Sequence, residues 1–331
     1  MEEALAAYDR AIKIDPRNAD AHIRRGVLLC DYLDRPGEAI AEFDLAIELD
    51  PRSAEAHTNR GIALHAMGRV EEALATCDRA IELDPRSALA HASRGVALCD
   101  VGRLVEGLAE FDRAIELNGQ YAEAYNSRGT ALRELGGLEE AIAAFERAIE
   151  LDPRDYKPHY NLGNALAAKG DVEAAIAAFG EAIRLRPDVA EVHCNLGLAL
   201  MRLGRLQEAV THLRRGHELG SRRADWAYPS GQWLEDAERK ANLEARLDQV
   251  LSGQAQPLHA VERIEFALAL YAKVRHAESA RMYAEAFADD AALAEDLGKS
   301  HRYNAACSAA LAAAESRNAG ARRTRPNPPT A

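Results

Sequence analysis

Apolar residues return along this chain with two rhythms, one laid over the other. Within blocks of about 13 residues they recur at three- and four-residue steps, the spacing of a helix with one buried face. The blocks come in pairs, and the pairs repeat. "AIELDPRSAEAHTNRGIALHAMGRVEEALATCDRAIELDP" begins and ends on the same words, and the next lap follows with "RSALAHASRGVALCDVGRLVEGLAEFDRAIELN". Pro16, Pro51, Pro85, Pro153 and Pro187 mark one beat, with Gly119 and Ser221 standing where proline is missing, at steps of 34 or 35 residues. Gly26, Gly61, Gly95, Gly129, Gly163 and Gly197 mark a second. Ala39, Ala73, Gly107, Ala141, Ala175 and Ala209 keep a small residue in phase. So do Ala46, Ala80, Ala114, Ala148, Ala182 and Gly216. The bulky beat is Phe43, Cys77, Phe111, Phe145, Phe179 and Leu213.

Each lap predicts a helical hairpin. Gly68, Gly102, Gly136, Gly170 and Gly204 separate the two blocks, where a helix ends in a left-handed residue. Proline stops the second block. Ser53 and Ser87, just after Pro-Arg, are placed to cap the next helix. The small residues let the paired helices approach closely, so a large side chain at Gly61 or Ala80 is expected to overpack the hairpin. A unit that cannot bury its apolar face alone must stack on its neighbours, which predicts an all-α solenoid. The extra residue around Arg35, Pro36 and Gly37 lengthens the first hairpin loop.

Composition narrows the function. The 331 residues carry a net charge of −12, which is not the basic footprint of a nucleic-acid binder. The five cysteines are scattered and odd in number, so a disulfide framework is not expected and a reducing, cytoplasmic setting is. No apolar run reaches the length of a membrane span, and the acidic, amphipathic start does not resemble a secretory signal. His22, His57, His91, His159 and His193 repeat one per lap, too far apart to converge on a metal, and are expected to fill a packing site. There is no Walker lysine, HExxH or GxSxG motif, and "HRYNAACSA" has Tyr303 where a kinase loop needs its aspartate. Neither catalytic residues nor a cofactor is expected.

These beats resemble the tetratricopeptide repeat, whose pattern spaces an aromatic, a leucine-glycine pair, a bulky residue, alanine, phenylalanine, alanine and proline. The resemblance implies a right-handed superhelix with half a repeat at 1–18 and six repeats over 19–223; beyond 223 the beat weakens, and the residues read as a linker and helix over 224–257, a degenerate hairpin and terminal helix over 258–315, and, with four arginines, three prolines and no acid, a disordered basic tail at 316–331. This chain departs from the pattern with histidine at the early aromatic position and with arginine for leucine at Arg25, Arg60, Arg94 and Arg128. First helices of such hairpins line a concave groove. The row two before the glycine beat reads Arg24, Asn59, Ser93, Ser127, Asn161 and Asn195, with Asn126 beside Ser127 and Asn164 one turn beyond Asn161. Asparagine carries both donor and acceptor, so it can pair with the backbone of an extended peptide.

The lap "HCNLGLALMRLGRLQEAVTHL" is similar to the repeats of the O-GlcNAc transferase arm, where a groove asparagine ladder holds peptides; this marks Asn59, Asn161 and Asn195 as contacts. The clamp that grips chaperone carboxylates has asparagines where Asn164 and Asn195 stand, but its lysine position holds Tyr160. Over about 218–314, "RMYAEAFADDAALAEDLGKSHRYNAAC" and the segment before it resemble the C-terminal part of planctomycete serine/threonine kinases that carry these repeats. The expected function is a non-catalytic scaffold binding a protein or peptide in the groove, with no nucleic acid and no membrane, and with self-association through the solenoid ends. The alternatives are the recruiting arm of a multidomain bacterial kinase or of an O-GlcNAc-transferase-like enzyme.

Overall fold

The computed structural model describes residues 2–295 and 300–323, and among these every regular element is an α-helix. A single helix, α1 (Glu2–Ile14), is followed by six hairpins: α2 (Ala19–Asp31) with α3 (Pro36–Leu49), α4 (Ala54–Ala66) with α5 (Val70–Leu83), α6 (Ala88–Asp100) with α7 (Leu104–Leu117), α8 (Ala122–Glu134) with α9 (Leu138–Leu151), α10 (Tyr156–Lys169) with α11 (Val172–Leu185), and α12 (Ala190–Arg202) with α13 (Leu206–Gly220). Each second helix packs both on its own partner and on the first helix of the next hairpin, so the stack forms one continuous superhelix.

The local chemistry of the turns explains the hairpins. Gly68, Gly102, Gly136, Gly170 and Gly204 sit at φ between +71° and +96°, the left-handed region that glycine enters without steric cost. In the longer first loop Asp34 takes that place at φ +51°. The Oγ atoms of Ser53 and Ser87 accept from the amides of Ala56 and Ala90, both at 3.2 Å, and Asn18 caps α2 in the same way at 3.0 Å.

The interior of each hairpin is a glycine facing a ring. A Cβ on Gly26, Gly95, Gly129 or Gly163 would stand only 2.5–2.7 Å from the ring of Phe43, Phe111, Phe145 or Phe179. All four rings are fully buried. Cys77 and Leu213 play the same part opposite Gly61 and Gly197.

The arginines that replace leucine tie consecutive repeats together. Arg25 reaches back to Asp9 (2.7 Å) and forward to Glu42 (2.6 Å). Arg60 joins Asp44 (2.6 Å) to Thr76 (3.0 Å), and Arg94 joins Asp78 to Glu110, both at 2.6 Å. Arg128 keeps the backward bond, to Asp112 at 2.6 Å. In the fifth and sixth hairpins the position is Leu162 and Leu196, and the aspartate row ends as well, with Glu146 and Gly180 in its place.

Beyond α13, residues 221–229 lead into α14 (Ser230–Leu251), a 22-residue helix. Its first half buries Ala237 and Ala241 against Val210 and Leu213. Its second half buries Leu247 with Phe266, Leu270 and Tyr283 of the pair α15 (Ala260–Ala272) and α16 (His276–Asp289). Tyr283 and Ala286, the residues in phase with the bulky and small beats, are fully buried there. A short α17 (Ala292–Glu295) and α18 (His301–Arg323) complete the described residues, α18 packing on α16. The sequence reading ends this last helix at 315 and starts a disordered tail at 316, whereas α18 runs on to Arg323; residues 324–331 lie outside the described residues.

Two substitutions test these local rules in opposite directions. Gly129→Val forces the Phe145 ring aside and should lower stability by about 1–3 kcal/mol in urea unfolding. In the α15–α16 turn Val274 occupies the left-handed slot at φ +59°, where a branched side chain is strained. Val274→Gly should raise stability by roughly 0.5–1 kcal/mol, the relief of that strain less the entropy glycine loses on folding.

Candidate peptide-binding groove

The first helices α2, α4, α6, α8, α10 and α12 lie side by side, and two cavities open along them. The cavity over the first four hairpins has a volume of ≈ 500 Å³. Asn59, Ser93 and Ser127 all line it. Ser93 spends its hydroxyl proton on the Leu89 carbonyl at 2.8 Å, whereas no protein partner of the Asn59 amide is found among the described residues. Arg24 is exposed and engaged in ion pairs with Asp20 (3.3 Å) and Glu55 (3.1 Å), so it stands off from this row.

The second cavity, ≈ 550 Å³, spans the fourth to sixth hairpins and is lined by Asn126, Tyr160 and Asn161. One linked asparagine pair lines it, and a second pair, outside the lining, reaches it through Tyr160. Asn161 donates to Asn126 Oδ1 at 2.9 Å, and Asn195 donates to Asn164 Oδ1 at 2.7 Å and to the Tyr160 hydroxyl at 3.2 Å. Each pair bridges neighbouring first helices. Each still has unspent amide donors and acceptors, because one amide offers two N–H groups and two lone pairs. Burial raises the Tyr160 phenol above its ordinary range, and the nearby Tyr228 adds to this.

The structure adds groove residues that the single row of small polar positions missed. Val27, Ile62 and Val96 follow the glycine beat by one residue and line the first cavity with Leu89 and Tyr121. Thr130, Asn164 and Leu198 continue this register. Apolar side chains therefore dominate the first half of the row and polar ones enter in the second. Reading the register one residue past glycine would have found them. The linker was also missed as a groove element. Arg223 bonds Glu191 on α12 at 2.6 Å and Asp225 at 3.0 Å. Trp226 lies against Gly220, donates to Ser230 Oγ at 3.0 Å and stacks on Tyr228 at 4.8 Å between ring centres. Leu219 and Arg223 thereby close the far end of the second cavity.

Three of the repeated histidines, His22, His91 and His193, act as braces, whereas His57 meets only the Pro51 carbonyl at 3.4 Å and His159 Nε2 is buried without a partner among the described residues. His22 Nδ1 meets Glu42 at 2.7 Å and its Nε2 meets the Pro16 carbonyl at 3.3 Å. His91 repeats this with Glu110 (2.6 Å) and Pro85 (3.2 Å). In the sixth hairpin His193 holds the Pro187 carbonyl at 3.0 Å but meets His212, stacked on it at 5.4 Å. Among the described residues no group of three or more His, Cys, Asp or Glu could hold a metal ion. Burial pushes the thiols up, Cys77 to about 12 and Cys30, Cys99 and Cys194 to about 11, so all four stay protonated at neutral pH. No helix of the described residues is long and apolar enough to cross a membrane.

A stack of helical hairpins with a groove along its first helices is a repeat solenoid of the kind typical of protein–protein interaction scaffolds. Models of the tetratricopeptide repeat match residues 1–30, 37–68, 129–170 and 163–204, and further models of the same repeat match 54–87, 110–143 and 190–221. Together these cover more than half of the chain, which belongs to the tetratricopeptide repeat family. Such repeats generally bind protein or peptide partners and are typically non-catalytic. Among solved structures the chain is similar to the APC/C hetero-tetramer Cut9–Hcn1, with 19% identity and a TM-score of 0.65 over 72% of this chain and 46% of that one. It is also similar to PilF of Pseudomonas aeruginosa, with 16% identity and a TM-score of 0.57 over 68% of this chain and 100% of that one. Both likenesses are of fold, and the chain spans less than half the length of the first. YrrB, described as having an unusual peptide-binding site, is 28% identical with a TM-score of 0.41 over 55% of this chain and 93% of that one. No curated protein matches the sequence.

The histidine pair gives a pH test. Burial, then the charge of Arg215, holds His193 below its ordinary range; burial, then His193 itself, does the same for His212. The unfolded chain therefore binds protons first as pH falls below about 6.5. The stabilisation from keeping both rings neutral is complete above that pH and is lost as pH falls through the folded values. Thermal melts should show a lower midpoint at pH 5 than at pH 7.5, and His212→Leu should narrow the difference.

Proposed function

We propose that the chain is a non-catalytic scaffold that holds an extended segment of a partner protein along the concave face from α2 to α12. The observation that carries this reading is the pairing of groove amides across neighbouring helices, Asn161 on Asn126 and Asn195 on Asn164, beside open cavities. Amides fixed in this way present donors and acceptors to a peptide backbone without moving, so little side-chain entropy is lost on binding. Val27, Ile62 and Val96 favour apolar side chains from one half of the segment, and the amide-rich half favours backbone contacts and polar side chains.

A second reading, the recruiting arm of a larger serine/threonine kinase, is favoured by the resemblance over 218–314. This segment, as far as it is described, continues the stack through α14 to α18. The same groove would serve either role. An open reading frame running upstream of the Met1 codon into a glycine-rich loop, a catalytic lysine and a His-Arg-Asp loop would establish the arm, and an in-frame stop there would exclude it.

Replacing Asn59, Asn161 and Asn195 together by alanine should weaken a captured partner about tenfold or more in calorimetry, since each such hydrogen bond contributes roughly 0.5–1.5 kcal/mol. Far-UV circular dichroism should be unchanged. Unaltered affinity in the triple variant would remove the asparagine ladder from the reading.

A further inference from the structure

The first cavity of the groove joins an apolar floor to charge of one sign. Val27, Ile62, Leu89, Val96 and Tyr121 line it, and Leu89 is 40% exposed. Asp31, at the end of α2, and Glu123, in the first turn of α8, stand in the same lining. A smaller cavity of ≈ 160 Å³ adjoins it at Val96 and Ser127, and Asp100 and Glu134 line that one. Neither lining contains a lysine or an arginine. The second cavity is balanced differently, with Lys157, Arg186 and Arg223 against Asp188 and Glu191.

These four carboxylates are exposed and mostly unspent. Among the described residues Asp31, Glu123 and Glu134 form no ion pair, and Asp100 is met only by His65, at 2.5 Å. Arg133, which holds on α8 the register of Cys30, His65 and Cys99, lines neither cavity and pairs with none of them. Asp31, Asp100 and Glu134 are the last residues of α2, α6 and α8. Free carbonyls already give a helix end partial negative charge, so a carboxylate there opposes the helix dipole. Helix stability therefore does not account for this acidic edge. Its field reaches the thiols beside it: after burial, Asp31 and Asp34 raise Cys30, and Glu134 and Asp100 raise Cys99. An apolar trough edged by unpaired carboxylates is complementary to a segment that carries both apolar and cationic side chains.

We propose that the part of the groove over α2 to α8 holds a segment of a partner protein in which apolar residues alternate with lysine or arginine. The inference rests on the groove reading above and adds the chemistry of the segment. Packed helices lie about 8–10 Å apart, so roughly eight extended residues reach from α2 to α8. Alternate side chains of an extended chain face opposite ways. The apolar ones cover Val27, Ile62 and Val96, and the cations, on long flexible stems, bend to the edges. There they meet Asp31 toward α2, and Glu123, Asp100 and Glu134 toward α8.

The test uses the full chain and three fluorescein-labelled peptides of about ten residues. The first alternates leucine with lysine, the second has glutamine for every lysine, and the third keeps the lysines but has serine for every leucine. In fluorescence anisotropy the first should bind saturably, at least about tenfold tighter than either of the others, and more weakly as salt is added. The combined variant Asp31→Asn, Glu123→Gln and Glu134→Gln should weaken it about tenfold, with the circular dichroism spectrum and melting midpoint intact. Equal binding of the first two peptides, or indifference to the acid variant, overturns the proposal and leaves the groove reading standing. Equal binding of the first and third reduces it to attraction by the net charge of the chain and overturns it. If no peptide binds, the proposal fails, and the groove reading is judged separately by whether the Asn59, Asn161 and Asn195 variant loses a captured partner. Sedimentation showing self-association of the chain that the acid variant abolishes would assign this part of the groove to a second copy and overturn the proposal too.

Discussion

The whole structure depends on the contact between a glycine backbone and the side chain opposite it. At Gly26, Gly95, Gly129 and Gly163 the helix presents bare backbone to a phenylalanine ring, with no room for one further carbon atom. This brings the two helices of a hairpin to one separation and one rotation about their axes. The left-handed glycine of the turn then needs only three residues to reverse the chain, and the proline-marked junction starts the next lap in the same phase. Because every hairpin is set alike, residues at equal steps from glycine fall on the same face. The groove is a consequence of that contact: it is the face of the first helices that the ring does not occupy.

This dependence explains how much of the molecule was legible beforehand. The glycine and phenylalanine beats, the serine caps at Ser53 and Ser87 and the longer first loop are local or strictly periodic, and a periodic signal can be read without knowing any contact. The partners of Arg25, Arg60 and Arg94 were not legible. Each lies about half a repeat away on both sides, so the arginine looked like a departure from leucine when it is a tie between laps. His22 and His91 were expected as packing residues; they do pack, but each also bonds a proline carbonyl and a glutamate of the following helix. Val27, Ile62 and Val96 stand one residue past the glycine beat, a register that the polar row two before glycine does not include. The segment after α13, which sets Arg223 at the end of the groove and Trp226 against Gly220, lies where the period stops, and there the sequence offers no register to extrapolate.

The two halves of the groove differ in a way that follows from the same geometry. The first is bounded by aliphatic side chains and the second by amides, tyrosines and the strap that carries Arg223. The groove itself therefore has a direction, with its apolar end toward α2 and its polar end toward α12.

The arginine ladder ends with the fourth hairpin, and beyond it leucine takes over. Neighbouring repeats in the first part of the coil are therefore joined partly by this ladder of charge, and in the later part mainly by apolar contact and the uncharged amide pairs Asn161–Asn126 and Asn195–Asn164. Salt screens the first kind of joint and leaves the second nearly untouched. In a linear array, where each unit leans only on its neighbours, the choice of which joint parts first belongs to the solvent: a saline medium favours unzipping from the α1 end, and a dilute one shifts the weaker seam toward the leucine-joined repeats.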